Sequence, residues 1–337
     1  MSKKLKLSRK NKNPYYQGPV SDHFDGERFF NPSRRGGKSS GDLFRLMLER
    51  GAQPWPDAHP SPFSDRPPHR VTGRDMRLSY VGHASFLLQT AGLNILLDPV
   101  WSDRASPFAF AGPKRVNEPG IPFERLPPID VVLISHNHYD HLDLATLRRL
   151  HADHAPRIVT PLGNDTIIKR AHADIKVEAY DWENAVSLSK DVTLHLEEAY
   201  HWSARGIYDR SRALWAAFVL ETPAGRIYHV GDTGYHDGKI FSAIKEKFGP
   251  VKLAILPIGA YEPRWFMAEH HMNPEEAVKA FKATGAQRAV AHHWGTFRLT
   301  HESLSAPPEA LRNALARNNI DENRFAVLRP GEALSIS

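Results

Sequence analysis

Three histidines and one aspartate fall within six residues in His136-Asn137-His138-Tyr139-Asp140-His141. The apolar run Ile129-Asp130-Val131-Val132-Leu133-Ile134-Ser135 precedes them, so the end of a buried strand delivers them. His136 and His138 stand two apart, and in an extended turn both rings face one cation. Asp140 and His141 follow where the backbone bends, aimed at a second position. Imidazole nitrogens with a carboxylate suit zinc, and iron or manganese accept the same donors. A chance cluster is the bland alternative in a chain with 19 histidines. The strand before the run and the helix from Leu142 after it argue for a built metal site.

A site of two metals needs further ligands, and three later strand ends offer them. His201 follows the strand-like stretch Thr193 to Tyr200. Asp232 closes Tyr228-His229-Val230-Gly231, and His292-His293 close Arg288-Ala289-Val290-Ala291. A carboxylate can give one oxygen to each of two cations about 3.5–4 Å apart, which suits Asp232 to a bridging role. Strand alternation puts His292 and His293 on opposite faces and does not choose between them.

The elements that must hold these residues read as an α/β fold. Strands are expected at Arg77 to Val81, Ala84 to Gln89 and Leu93 to Asp98, a meander turning at Gly82 and Gly92. Others are expected at Val131 to Ser135, Ile158 to Thr160, Thr193 to Glu197, Leu214 to Glu221, Arg226 to Gly231, Lys252 to Pro257, Arg288 to His292 and Phe325 to Leu328. Helices are expected at Gly41 to Arg50, Leu142 to Leu150, Gly163 to Ala171, Ile240 to Phe248, Pro274 to Thr284 and Pro308 to Arg317. The helix at 274 is well signed, with Asn273 as its cap, Pro274 at its first position and Gly285 past its end. Such an order of elements argues for two sheets with helices on their outer faces.

Residues 1–73 read differently from 74–337. Lys3, Lys4, Lys6, Arg9, Lys10 and Lys12 crowd the start, a pattern of solvated tails, and six prolines between 54 and 68 oppose regular structure. We read 1–73 as an extension packing on a domain spanning 74–337. The 337 residues carry 44 basic and 38 acidic side chains, a net charge of +6, too diffuse for a nucleic-acid partner. Cysteine is absent, which excludes disulfides, thiolate ligands and thiol nucleophiles. Without a membrane-length apolar run or a secretory signal, the expected location is the cytoplasm, with peripheral contact at the inner face of the membrane left open.

His136-Asn137-His138-Tyr139-Asp140-His141 resembles the HxHxDH signature of the metallo-β-lactamase superfamily, a four-layer αββα sandwich. From about Leu78 onward the chain is similar to one branch, the N-acyl-phosphatidylethanolamine-hydrolysing phospholipase D family. The likeness is carried by Gly82-His83-Ala84, Leu97-Asp98-Pro99, Gly112-Pro113-Lys114-Arg115, Leu126 to Asp130, Ile134 to Asp143, Gly231 to Tyr235, Pro257 to Met267 and His293 to Phe297. The resemblance implies two zinc ions per chain, one on His136, His138 and His201, the other on Asp140, His141 and His293, with Asp232 bridging. It selects His293 over His292 because the ligand directly precedes Trp-Gly-Thr-Phe. It also implies catalytic roles for Asp140, as holder of the attacking water's proton, and for His271. Tyr261, Trp265 and His270 fall on the substrate side, and His270 departs from the glutamine of mammalian members. The implied reaction is attack of a dizinc-activated water on phosphorus, giving phosphatidic acid and an N-acylethanolamine. A phospholipid substrate, peripheral membrane contact and a homodimer fit this family. A lactone, thioester or β-lactam hydrolase and a nucleic-acid phosphodiesterase remain alternatives on the same fold, as does a non-enzymatic, envelope-associated binding protein. Against a β-lactamase stand the absent cysteine and the presence of Asp232.

Overall fold

Alternating apolar residues between 76 and 97 build an antiparallel meander of β1 (Met76–Gly82), β2 (Ser85–Thr90) and β3 (Leu93–Leu97). The computed structural model describes residues 13–33, 45, 49 and 51–336. The helix expected at 41–50 falls almost wholly outside them, and the basic run at 3–12 lies outside them. Next come β4 (Val131–Leu133), α1 (Leu144–His154), β5 (Arg157–Pro161), α2 (Asn164–Ala171) and β6 (Val177–Tyr180). A second series holds β7 (Ala185–Ser189), β8 (Val192–Glu197), β9 (Ala217–Thr222), β10 (Gly225–His229), α3 (Lys239–Phe248) and β11 (Leu253–Pro257). The chain finishes with α4 (Arg264–Met267), α5 (Pro274–Ala283), β12 (Arg288–His292), α6 (Ala306–Arg317), β13 (Phe325–Ala326) and β14 (Ala333–Ile336).

The strands form two seven-stranded sheets, ordered β14-β1-β2-β3-β4-β5-β6 and β13-β12-β11-β10-β9-β8-β7. In each sheet three consecutive pairings are antiparallel and three parallel, the parallel ones ending the first sheet at β6 and opening the second at β13. Phe86 and Leu88 on β2 join one core with Leu97, Leu133 and residues of β8 to β12. Leu87, one position out of phase, joins a second core with Leu96, Val132 and the α1 and α2 residues Leu147, Leu150 and Ile168. The first sheet is thus buried on both faces, and α3, α5 and α6 cover the second sheet. The result is the αββα sandwich.

Local signals placed the helices well. Asn273 Oδ1 accepts from the Glu276 amide at 2.9 Å, and Glu276 Oε2 accepts from the Asn273 amide at 2.9 Å, closing a capping box on α5. Helix α1 begins two residues later than expected, because Asp143 caps it through the amides of Ala145 and Thr146 and keeps His141 and Leu142 in the preceding turn. Strands β6, β7 and β14 and the short α4 have no counterpart in the sequence reading. They are short, and β6, β7 and β14 are mostly polar-faced members at or near sheet edges.

The N-terminal residues pack on this frame. Phe24 and Phe29 are fully buried with ring centroids 4.6 Å apart, and His23 stacks on Trp182 at 4.7 Å. Where the proline-rich stretch runs beside β2 and β3 it lacks ladder partners. Its carbonyls at Pro68 and His69 accept instead from the buried amides of Gln89 and Asn94.

Candidate metal centre

Strand ends bring the candidate ligands together. The turn after β4 carries His136, His138, Asp140 and His141. His201 lies beyond the end of β8, Asp232 beyond β10 and His293 directly after β12. Gly231 has φ +64 and its α-hydrogen faces Ser135, so the chain can leave β10 close against the β4 turn and set Asp232 inside. A Cβ on Gly259 would meet the His293 carbonyl at 2.0 Å, so only glycine allows that loop to close on the His293 turn.

Two groups of donors result, and each converges to within 4.8 Å: His136, His138, His201 and Asp232, then His83, Asp140, His141 and His293. In the first, His136 Nε2 lies 2.9 Å and His201 Nε2 3.3 Å from His138 Nδ1. Ligand atoms about 2.0–2.1 Å from a tetrahedral zinc sit near 3.3 Å apart, so the spacing fits one shared cation. Asp232 Oδ2 faces both groups, 3.8 Å from His136 Nε2, 3.7 Å from His201 Nε2, 3.2 Å from His141 Nε2 and 3.1 Å from His293 Nε2. Asp232 Oδ1 and His141 Nε2 are buried and make no hydrogen bond. Such donors, removed from water and aimed at one another, are satisfied by cations.

Outer partners fix the rings. His141 Nδ1 pairs with Asp98 Oδ2 at 2.8 Å, His136 Nδ1 with Ser135 Oγ at 3.0 Å, and His201 Nδ1 donates to the His270 carbonyl at 3.0 Å. Each leaves the inner nitrogen's lone pair facing the centre. Asp98 is itself held by the Ser135 amide at 2.7 Å and Ser135 Oγ at 2.6 Å. Neither Asp98 nor Ser135 was singled out as a site group in the sequence, and His270 was expected only on the substrate side. His83, whose Nε2 lies 2.8 Å from Asp140 Oδ2, was not singled out either. His83 adopts φ +57 in the β1–β2 turn, and its carbonyl accepts from the His293 amide at 2.8 Å. The only signals in the sequence were Gly82-His83-Ala84 and Leu97-Asp98-Pro99, whose side-chain directions depend on distant partners.

The charges divide the site. Burial, then neighbouring imidazoles, holds His136 and His201 well below the ordinary histidine range; burial puts His138 at about 4. Burial favours the neutral form of His141 and His293 too, but Asp232 with Asp140 overcomes it. His141 is driven well above its ordinary value and His293 up to about 9. Burial likewise opposes the charge of Asp140 and Asp232, yet the adjacent imidazoles, His141 foremost, hold both carboxyls well below the usual range.

The remaining expected residues separate. His271 is buried, groups with Asp232 and His293, and has its ring 5.1 Å from that of His201. His270 lies beside it, its ring 5.9 Å from His201. His292 points away from the cluster into the sheet interface, 5.3 Å from the His229 ring and 6.3 Å from Phe86. Tyr261 and Trp265, expected on the substrate side, are not brought to the cluster. Tyr261 is buried near Glu302, which anchors its loop through the amides of Ala260 and Glu262. Helix α4 turns Trp265 toward the N-terminal segment, where its indole donates to Glu49 at 2.8 Å and lies under Arg45.

Comparison with known proteins fits this geometry. The model of the Beta-lactamase superfamily domain matches residues 93–294. The chain is 36% identical over 309 residues to N-acyl-phosphatidylethanolamine-hydrolyzing phospholipase D 1 of Caenorhabditis elegans, covering 86% of each. It is also 36% identical over 292 residues to an uncharacterized protein of Mycobacterium tuberculosis, covering 86% of this chain and 74% of that one. In fold it is similar to the isothiocyanate hydrolase from Delia radicum gut bacteria, with a TM-score of 0.60 at 22% identity over 77% of this chain and 98% of that one. The chain belongs to the beta-lactamase superfamily, in the branch of the N-acyl-phosphatidylethanolamine-hydrolyzing phospholipases D.

Proposed function

We propose that this protein is a dinuclear metal phosphodiesterase, loaded with zinc, that hydrolyses a phospholipid of the N-acyl-phosphatidylethanolamine type to phosphatidic acid and an N-acylethanolamine. The observation that carries the reading is the Asp232 carboxylate, with one oxygen facing two convergent donor groups. His136, His138 and His201 would hold one ion, and Asp140, His141 and His293 the other. Two dications there would lower the pKa of water and neutralise charge building on a phosphate.

The chain's own residues supply the rest. Asp140, kept ionised and oriented by His83 and His293, can take the proton of the attacking water. His271, held neutral at about 3 chiefly by burial, can donate one N–H to a phosphate oxygen and is not a cationic acid. Burial of these side chains keeps bulk water away and strengthens each interaction. A lipid substrate also fits the surface. Phe110, Ile207 and Tyr208 are 82%, 85% and 83% exposed on two loops. Tyr139 of the ligand turn packs against the cluster of Val100, Ala105 and Phe297 at the foot of one loop and donates from Oη to the Arg205 carbonyl of the other at 3.0 Å. Exposed apolar tips beside the site suit contact with a bilayer, and among the described residues no helix is long and apolar enough to cross one.

Metal analysis of the purified protein, with turnover measured on N-acyl-phosphatidylethanolamine, bis-p-nitrophenyl phosphate and a chromogenic β-lactam, tests the reading. We expect two ions per chain and cleavage of both phosphodiesters. Turnover of the β-lactam alone overturns it.

A further inference from the structure

Beside the cluster, behind His201 and Trp202, lies a cavity of about 580 Å³ whose wall includes Arg210. The Arg210 guanidinium lies over the Trp202 ring at 4.1 Å, and the same indole meets His138 edge-to-face, with ring centroids 4.5 Å apart. Trp202 therefore touches both the arginine and one of the candidate metal ligands. Arg210 is half-buried, and its single hydrogen-bond contact among the described residues is Nη2 at 3.4 Å from His270 Nε2. Among the described residues it forms no ion pair.

A guanidinium carries five N–H donors in a planar fork, and half-burial without a carboxylate leaves most of that capacity unused. The surroundings make the positive potential stronger. Burial, then the charge of Arg28 from the N-terminal segment, holds Arg210 below its ordinary pKa, and Glu269 only partly offsets this. Glu269 lines the same cavity but makes no ion pair with Arg210. Arg28 forms no ion pair among the described residues either. Arg210, stacked on an indole that fixes its plane and lining the cavity without an ion pair among the described residues, presents a fork that can receive an anionic group. Aromatic residues Phe29, Phe30 and Trp215 in the same wall leave apolar surface for an attached chain.

We propose that this cavity is an anion-recognition subsite, in which Arg210 receives a carboxylate or phosphate carried on the alcohol half of the substrate. This rests on the phosphodiesterase reading above: with the reacting phosphate at the cluster, the leaving alcohol extends past His201 and Trp202 to Arg210. Substrates with an anionic group on that alcohol are then preferred over the neutral N-acylethanolamine headgroup.

Direct binding to the metal-loaded full chain tests this by calorimetry, with N-hexanoylserine as the carboxylate probe, N-hexanoyl-O-phosphoethanolamine as the phosphate probe and N-hexanoylethanolamine as the neutral reference. The wild type is expected to bind an anionic probe roughly tenfold or more tightly than the neutral one, the size of one charge-assisted hydrogen bond. Arg210→Gln collapses that ratio to about one, and Arg210→Lys, which keeps charge without the fork, retains part of it. A wild-type ratio near one, or a ratio that survives Arg210→Gln for both probes, overturns the subsite. A gain that survives only for the phosphate probe places that group at the metal cluster and leaves the carboxylate as the source. Absence of lipid turnover in the wild type would sink the phosphodiesterase reading without altering this binding ratio, so the two failures are distinct.

Discussion

Replacing Asp98 by Asn changes one oxygen to an NH₂ group in a fully buried position and nothing in size. The native carboxylate accepts from the Ser135 amide at 2.7 Å, from Ser135 Oγ at 2.6 Å and from His141 Nδ1 at 2.8 Å. An asparagine oxygen can keep the amide contact, but its NH₂ then faces the Nδ1–H of His141. Donor meets donor, so His141 is forced to move its proton to Nε2, the nitrogen that faces Asp232. One charge-assisted hydrogen bond is worth about 1.5–3 kcal/mol, and losing it weakens metal binding at the His141 position by roughly 10–100-fold. The His136, His138 and His201 group meets Asp98 only indirectly, through Ser135 Oγ, and keeps the His270 carbonyl anchor, so it is expected to change less. Under limiting zinc, with a competing chelator, the variant should therefore hold about one ion where the wild type holds about two. Equal loss from both positions, or unchanged affinity at both, would refute the idea that Asp98 acts by fixing the His141 tautomer.

Three further outcomes are expected. In the metal-free protein His293, at about 9, and His141, driven well above its ordinary value by Asp232 and Asp140, carry protons at pH 7 that a metal must displace. Because these pKa values are raised, affinity rises with pH up to about 9 and falls in acid. Loading should release about two protons per chain into a weakly buffered solution, and release of none would contradict the electrostatics. Paired Phe110→Glu and Ile207→Glu substitutions should weaken sedimentation with phospholipid vesicles about tenfold or more, since each removes roughly 1.5–3 kcal/mol of apolar burial. Unchanged sedimentation would remove those loops from membrane contact. Asn273→Ala opens the capping box of α5 and should cost about 0.5–2 kcal/mol in urea unfolding, with no loss pointing to a cap that contributes nothing.

The ligand turn was legible because its chemistry is local: a β-strand, a polar turn and a helix follow one another in 129–150. His201, Asp232 and His293 were legible as strand ends. What local pattern could not supply was direction. His292 and His293 differ only in the face of β12 they occupy, and the partner that decides is the His83 turn some 210 residues away. Asp98 and His83 look like turn residues in sequence, and only the packing of β3 and of the β1–β2 turn against the β4 turn makes them site groups. Tyr261 and Trp265 sit in a stretch dense with recognisable residues, yet the Glu302 anchor and α4 turn them elsewhere. Strand β14 was invisible because it gains its partner only by returning to β1 from the far end of the chain.

Hydrolysis of N-acyl-phosphatidylethanolamine by the zinc-loaded protein in ¹⁸O-water, with both products weighed by mass spectrometry, tests the central claim most directly. Attack at phosphorus places one heavy oxygen in phosphatidic acid and none in the N-acylethanolamine. Label in a released fatty acid or in the N-acylethanolamine, or no turnover by protein holding two ions per chain, would contradict it.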